Sequence, residues 1–178
     1  LLAIGVGLPG LVDRRGVLRF GPHLPGADGL DVARWLSERH GVPVTVDNDG
    51  NCAAWAEQLA GVGAATATAP PVGDLLFVGL GTGISCGMVV AGHRVRGSHG
   101  FAGEPGHMIV EPDGPACACG RRGCWESLAS GTALAEQARA AAASGGLDGL
   151  LAELGVDAAS VRGEHVTEGL RQIGRAHV

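Results

Sequence analysis

The sequence predicts an α/β fold. Short apolar runs with strand character recur along the chain, helical stretches separate them, and Gly- or Asx-rich turns follow the strands. Leu1 to Leu8 alternates apolar residues with Gly and reads as a buried strand lacking its upstream partner. Pro9-Gly10 turns the chain, and Val17 to Phe20 follows as a short strand. Asp31 is placed to cap a helix whose core face is Val32, Trp35 and Leu36, spaced i, i+3, i+4. Val42-Pro43-Val44-Thr45-Val46 reads as a second long strand, its Pro setting it at an edge or near the strand start. It runs into Asp47-Asn48-Asp49-Gly50-Asn51, and a helix follows over about Cys52 to Leu59, capped by Asp49 or Asn51. The small-residue stretch around Gly61 to Pro71 reads as a hinge. Beyond it Leu75 to Val78 and Ile84 to Val90 form a hairpin with Gly79-Leu80-Gly81-Thr82-Gly83 at its tip, and helices span about Trp125 to Ala143.

Composition narrows the possible functions. With 46% hydrophobic and 17% charged residues the chain can bury a core and is not of a disordered type. A net charge of -5 gives no basic footprint for nucleic acid or an anionic membrane. No apolar run approaches the ~20 residues of a membrane span. The chain has no Lys, so all 13 basic residues are Arg, which excludes a Lys-dependent phosphate loop or Schiff-base chemistry within it. The 32 Gly residues suit tight turns and close backbone approach, and they also fit a GC-rich coding sequence. Five Cys is an odd number, and three of them fall within eight residues beside a His, which favours metal in a reducing compartment over a disulfide framework. A cytoplasmic location is therefore expected.

Metal is the strongest chemical signal. His107 precedes Cys117 by ten residues, Cys119 follows by two and Cys124 by five more. One imidazole and three thiolates form a closed tetrahedral zinc set, the composition of a structural site. The competing reading is a group of buried or reactive thiols. Cys52 and Cys86 stand apart and read as small packing residues. Asp47-Asn48-Asp49 lies at the carboxyl end of a strand, where ligands gather in α/β sheets. A carboxylate there can take a hydroxyl proton and an Asn can hold a hydroxyl, although the same residues also suit a helix cap. The tip Gly81-Thr82-Gly83 offers backbone N–H groups for an anion, or is simply a turn. Glu104, His107 and Glu126 flank the Cys cluster, and a metal there would draw them into one small volume.

Together these segments resemble the ROK family of sugar kinases and sugar-responsive repressors. Gly79-Leu80-Gly81-Thr82-Gly83, Gly92, Arg96-Gly97 and Gly103-Glu104-Pro105-Gly106-His107 look like the family signature. Cys117-Ala118-Cys119-Gly120-Arg121-Arg122-Gly123-Cys124-Trp125-Glu126 is similar to its zinc motif, and Asp47 to Ala54 to its sugar-binding and catalytic stretch. Gly5-Val6-Gly7-Leu8-Pro9-Gly10 matches the opening of the strand that reaches the sugar. The resemblance runs from Ile4 to about Leu134 and implies an actin-like, ribonuclease H-like ATPase fold in two lobes, incomplete at both ends of this chain. Residues 1–61 would complete the small lobe, 62–72 the hinge, and 73–172 part of the large lobe. Residues 173–178 would be a non-native tail.

By the same resemblance Asp49 is the general base, and Asn48, Glu104, His107 and Glu126 hold the sugar hydroxyls. Gly81, Thr82 and Gly83 face the ATP phosphates, and Mg²⁺ bridges those phosphates. His107, Cys117, Cys119 and Cys124 bind structural zinc, with His107 serving zinc and sugar through its two nitrogens. Asp47 is expected to matter little to turnover. The implied activity is ATP-dependent phosphorylation of a hexose, glucose to glucose 6-phosphate, with no nucleic-acid or membrane partner and a dimeric or tetrameric assembly. Kinases for N-acetylmannosamine, N-acetylglucosamine, fructose or mannose share these residues, and polyphosphate is an alternative donor. A transcriptional repressor of the same family is the second expectation. Half the nucleotide cleft would lie outside the chain, so the chain alone is expected not to turn over.

Overall fold

In the computed structural model, residues 1–176 are described apart from His23; side chains of Leu170 and residues 172–176 are not. The chain forms two compact units, one built from residues 1–79 and 85–105, the other from 80–84 and 106 onwards. Residues 62–72, read from sequence as the hinge, lie inside the first unit.

In the first unit, β1 (Ile4–Leu8) pairs in parallel with β4 (Val44–Asn48), with Ile4 opposite Val44 and Leu8 opposite Asn48. The carboxyl ends of both strands therefore finish together. Ile4, Val6 and Leu8 are half-buried and the intervening glycines exposed, so β1 is not the fully buried strand its sequence suggests; its sheet has two strands. Between them lie the hairpin β2 (Leu11–Val12) and β3 (Leu18–Phe20), then α1 (Val32–His40). Asp31 caps α1 as expected, accepting from the Arg34 N–H at 3.0 Å. Val32, Ala33 and Leu36 face inward, but Trp35 is 53% exposed, because it lies off the face of α1 that packs on the core. Val12, Leu18, Val32 and Val46 form the core here.

α2 (Asp49–Ala60) begins three residues before the expected start, because the capping residue is Asn48 and neither Asp49 nor Asn51. Its Oδ1 accepts the Asn51 N–H at 3.1 Å. β5 (Leu75–Leu80), β6 (Ile84–Val90) and β7 (His93–Arg94) form a second sheet in the order β5-β6-β7. The first turn of α2 lies directly on β6: a Cβ on Gly50 would sit 2.6 Å from the Cys86 carbonyl oxygen.

In the second unit the expected helical stretch over Trp125 to Ala143 divides at Ser130 into α3 (Trp125–Ala129) and α4 (Gly131–Ala143). Ser130 caps α4 through the Ala133 N–H at 3.2 Å. α5 (Asp148–Leu154) and α6 (Gly163–Ala176) follow, and Ala138, Ala142, Leu151 and Val161 form a small-residue core with them. Of the closing segment read as a tail, Ile173 to Ala176 continue α6, while His177 and Val178 lie outside the described residues. Among the described residues no helix is long and apolar enough to cross a membrane.

The contact of α2 with β6 generates a stability prediction. A Cβ at Gly87 would meet the Gly50 carbonyl and lie 2.5 Å from the Ala54 Cβ. Gly87→Ala is expected to destabilise the protein by roughly 1–3 kcal/mol, the usual cost of overpacking, measured as a lowered urea midpoint.

Candidate functional site

Two aspartates two residues apart, where β4 gives way to α2, have opposite environments. Asp47 is buried, at 2% exposure. One of its oxygens accepts a hydrogen bond from Arg94 Nη1 at 3.2 Å, and Arg96 Nε lies 3.0 Å from the same oxygen as an ion pair without hydrogen-bond geometry. The other accepts the Asn48 N–H at 2.9 Å and Asn51 Nδ2 at 3.2 Å. Asp49 is exposed at the first position of α2, and its Oδ1 accepts the Gly50 N–H at 2.8 Å. A carboxylate at a helix N-terminus is favoured by the helix dipole, and here it remains accessible to a ligand. Asn48 is both cap and bridge: its Nδ2 donates to the Gly10 carbonyl at 3.1 Å, tying the Pro9-Gly10 turn to the start of α2. Capping uses the Asn48 carbonyl oxygen, while its NH₂ carries a second hydrogen.

Glu104 belongs to the same unit. The Gly103 backbone before it packs against the Cys86 carbonyl, where a Cβ would come within 2.8 Å, and beside Asn51 Oδ1. Burial pushes the Cys86 thiol up, and the negative charge of Glu104 adds to the shift. Burial likewise raises Cys52, helped by Asp47 and Asp49 and opposed by Arg94 and Arg96. Both behave as protonated packing thiols, as their isolation in sequence suggests.

The second unit gathers the other residues. Glu126 Oε2 accepts the Ile84 N–H at 2.8 Å and covers Gly83. The Gly81 carbonyl accepts from the Gly131 N–H at 2.8 Å, and the Thr82 carbonyl from Thr132 Oγ1 at 2.8 Å. The tip Gly81-Thr82-Gly83 is thereby fixed against the start of α4, with Thr82 exposed. His107 ends a 3₁₀ turn, Pro105–His107. Gly106 lies against the Ile84 carbonyl and near the Glu126 Cβ. The structure thus groups His107, Glu126 and the Gly-Thr-Gly tip in one unit, and Asn48, Asp49 and Glu104 in the other.

The ligating atoms of His107, Cys117, Cys119 and Cys124 all lie within 4.8 Å of one another. The chain reaches this arrangement through tight turns: the Cys117 N–H donates to Arg121 O at 2.8 Å, and the Gly123 carbonyl accepts from Val110 at 2.9 Å. Gly120 and Gly123 have φ of +86° and +66°, a region side chains disfavour. Cys119 and Cys124 sulfurs are 3.6 Å apart, and Cys117 Sγ is 3.5 Å from His107 Nδ1. Tetrahedral zinc with ~2.3 Å sulfur and ~2.0 Å nitrogen bonds places neighbouring ligands about 3.5–3.8 Å apart, so the donor set fits that ion. Without metal, burial pushes the Cys124 thiol up, helped by Cys119 and Cys117, to about 12. Burial also raises Cys119, but hydrogen bonding to Arg121 and to the other two thiols outweighs it and brings the thiol down to about 7.

Sequence reasoning singled out Asp49 but missed the arginine pair on Asp47. The available signal was spacing: Arg94 and Arg96 stand two apart, as same-face strand residues do, with no acid near them in sequence.

The fold is that of the actin-like ATPases in the form found in sugar kinases of this type. The chain matches the ROK family over residues 1–168 and belongs to that family. It is similar to a glucokinase of Streptomyces coelicolor, 35% identical over 97% of this chain and 53% of that protein. It is also similar to a xylose repressor of Bacillus spizizenii, 37% identical over 75% of this chain and 33% of that one. N-acetylmannosamine kinases are among its relatives. A solved ROK family glucokinase from Streptomyces griseus, in complex with glucose and AMPPNP, superposes with a TM-score of 0.81 at 36% identity, covering 97% of this chain and 54% of that one. The chain spans about a third to about half the length of the curated relatives it matches.

The contrast between the two aspartates is testable by stability alone. Asp47→Ala leaves two partly buried guanidinium groups without their carboxylate and is expected to cost about 3 kcal/mol or more in denaturant titration. Asp49→Ala, at an exposed position, is expected to cost under about 1 kcal/mol.

Proposed function

We propose that this chain carries the sugar-binding part of an ATP-dependent hexose kinase, with glucose as the substrate and Asp49 as the general base. The observation that carries this reading is the accessible Asp49 carboxylate at the paired carboxyl ends of β1 and β4, beside an Asn48 held by the Gly10 carbonyl. The glucose and AMPPNP bound by the similar Streptomyces griseus glucokinase support the substrate and the donor. Asp49 accepts the proton of the attacking hydroxyl, and Asn48, Glu104, His107 and Glu126 hold the remaining hydroxyls. Gly81, Thr82 and Gly83 present backbone N–H groups and a hydroxyl to the phosphates of ATP. Mg²⁺, bound with the nucleotide, supplies charge neutralisation on the phosphates.

His107, Cys117, Cys119 and Cys124 hold zinc in a structural role. The Nδ1 atom of His107 faces Cys117, which leaves Nε2 for a sugar hydroxyl. Residues 1–61 and 73–172 belong to the two lobes of the kinase, which acts in the cytoplasm as a homo-oligomer. The xylose repressor relative favours a second reading, in which the same sugar site serves a transcriptional regulator. A general base and a phosphate-facing loop have no task in a repressor, so catalysis separates the two readings.

Purified protein is expected to carry about one zinc per chain by elemental analysis, and Cys119→Ser to lose both metal and fold, because binding and folding free energies are shared at such a site. Folded, metal-free protein would remove the structural role. In the full-length protein, Asp49→Asn keeps the side chain's size and cannot act as a base. The expected result in a coupled assay is a kcat lower by about 10²–10⁴-fold, with glucose KM changed far less. Asn48→Ala is expected chiefly to raise KM. An Asp49→Asn enzyme with normal kcat would show that another group takes the proton.

A further inference from the structure

Asp47 does not face solvent, and its carboxylate meets four polar groups. Two of its four contacts lie in the turn that carries Asn48 and Asp49. The Asn48 N–H and Asn51 Nδ2 belong to the turn that opens α2, and Arg94 and Arg96 come from β7 and the segment after it. The arginines are themselves held. Arg94 lies over the Trp55 ring at 5.1 Å, which ties it to the second turn of α2. The backbone around Arg96 is fixed at three successive residues. Val95 N–H donates to Met88 O at 2.9 Å, Arg96 O accepts from Ala102 N–H at 3.2 Å, and Gly97 O accepts from Arg14 Nη2 at 2.6 Å. Asn51, held by Asp47, also stands beside Gly103, the residue before Glu104.

We infer that Asp47, Arg94 and Arg96 form a positioning clamp that sets Asp49 and Asn48 at the end of β4 in their working geometry. This inference rests on the hexose kinase reading and replaces the expectation that Asp47 matters little to turnover. The physical argument is that a carboxylate taken out of water must be compensated by charge and by hydrogen bonds. Here the hydrogen bonds come from the turn bearing Asp49, and the opposite charge comes from Arg94 and Arg96 on the other side of the carboxylate. Loss of one guanidinium leaves the turn with a carboxylate that is only partly compensated, free to shift toward water and carry the first turn of α2 with it. A displacement near 1 Å at a reacting group costs rate out of proportion to binding. Asp47, Arg94 and Arg96 therefore act through Asp49 without touching the sugar.

The test uses the full-length protein, with Arg96→Ala and Arg96→Lys as variants and Arg34→Ala on the exposed face of α1 as a control. Hydrogen exchange followed by mass spectrometry reads the clamp directly. Arg96→Ala is expected to speed exchange in a peptide spanning residues 46–52 while leaving a peptide from α4 unchanged. In glucose phosphorylation, kcat for Arg96→Ala is expected to fall by about 10–100-fold with glucose KM within about threefold of wild type. Added guanidinium chloride at low millimolar concentration is expected to recover part of kcat in Arg96→Ala and none in Arg34→Ala. Arg96→Lys, which keeps the charge without the fork, is expected to fall between wild type and Arg96→Ala. Unchanged exchange over residues 46–52 in Arg96→Ala overturns the clamp, whatever the activity. So does faster exchange there with normal kcat, or a loss of kcat that merely follows the folded fraction without guanidinium recovery. If wild type itself phosphorylates no hexose, the kinase reading falls and the exchange result alone decides whether the clamp holds the turn.

Discussion

A buried carboxylate compensated from two sides is the constraint on which the first unit is built. Asp47 is the last residue but one of β4, just before the chain stops being a strand and begins α2. Its backbone neighbour Asn48 caps the helix, its side chain accepts from that same turn, and Arg94 and Arg96 supply the opposite charge. The helix can approach β6 so closely only because Gly50 and Gly87 carry no side chains at the contact. Strand end, helix start and arginine segment are therefore one packed object. Asp49 is the part of that object left exposed.

The second unit solves a different problem. Its helical core mixes alanines with branched side chains, and Met108, Ile109 and Val110, which open the loop to Cys124, are exposed. Order in that loop comes from backbone hydrogen bonds at glycine turns and from four donor atoms converging within 4.8 Å. Without a metal the converging thiols sit uneasily together: one remains protonated well above neutrality while another approaches thiolate character. Such a set gains stability when a cation replaces the protons. Glu126, in α3 just after Cys124, accepts the Ile84 N–H beside the Gly-Thr-Gly tip.

Family membership and chemistry meet at this level of detail. Relatives of the chain include kinases and repressors, and both uses require a pocket that recognises a sugar. What separates them chemically is an accessible base and a loop able to receive phosphate. The first unit presents Asp49 in the open while Asp47 is committed to the interior, and the second keeps Thr82 exposed on a tip anchored by Gly131 and Thr132.

Much of this was legible from residue order alone. The α/β class, the Asp31 cap, the β5-β6 hairpin and the convergence of His107 with Cys117, Cys119 and Cys124 follow from periodicity, cap chemistry and ligand spacing, all of which are local. The exposure of Trp35 was not legible, because it depends on which face of a helix meets its neighbours. The family resemblance singled out Asp49, but the burial and charge partners of Asp47 were equally hidden. Two aspartates two residues apart look alike in a sequence, and only tertiary packing brings Arg94 and Arg96, more than forty residues away, onto one of them. Charge compensation in a protein interior is a long-range property of the fold, whereas capping, turns and metal spacing are written within a few residues.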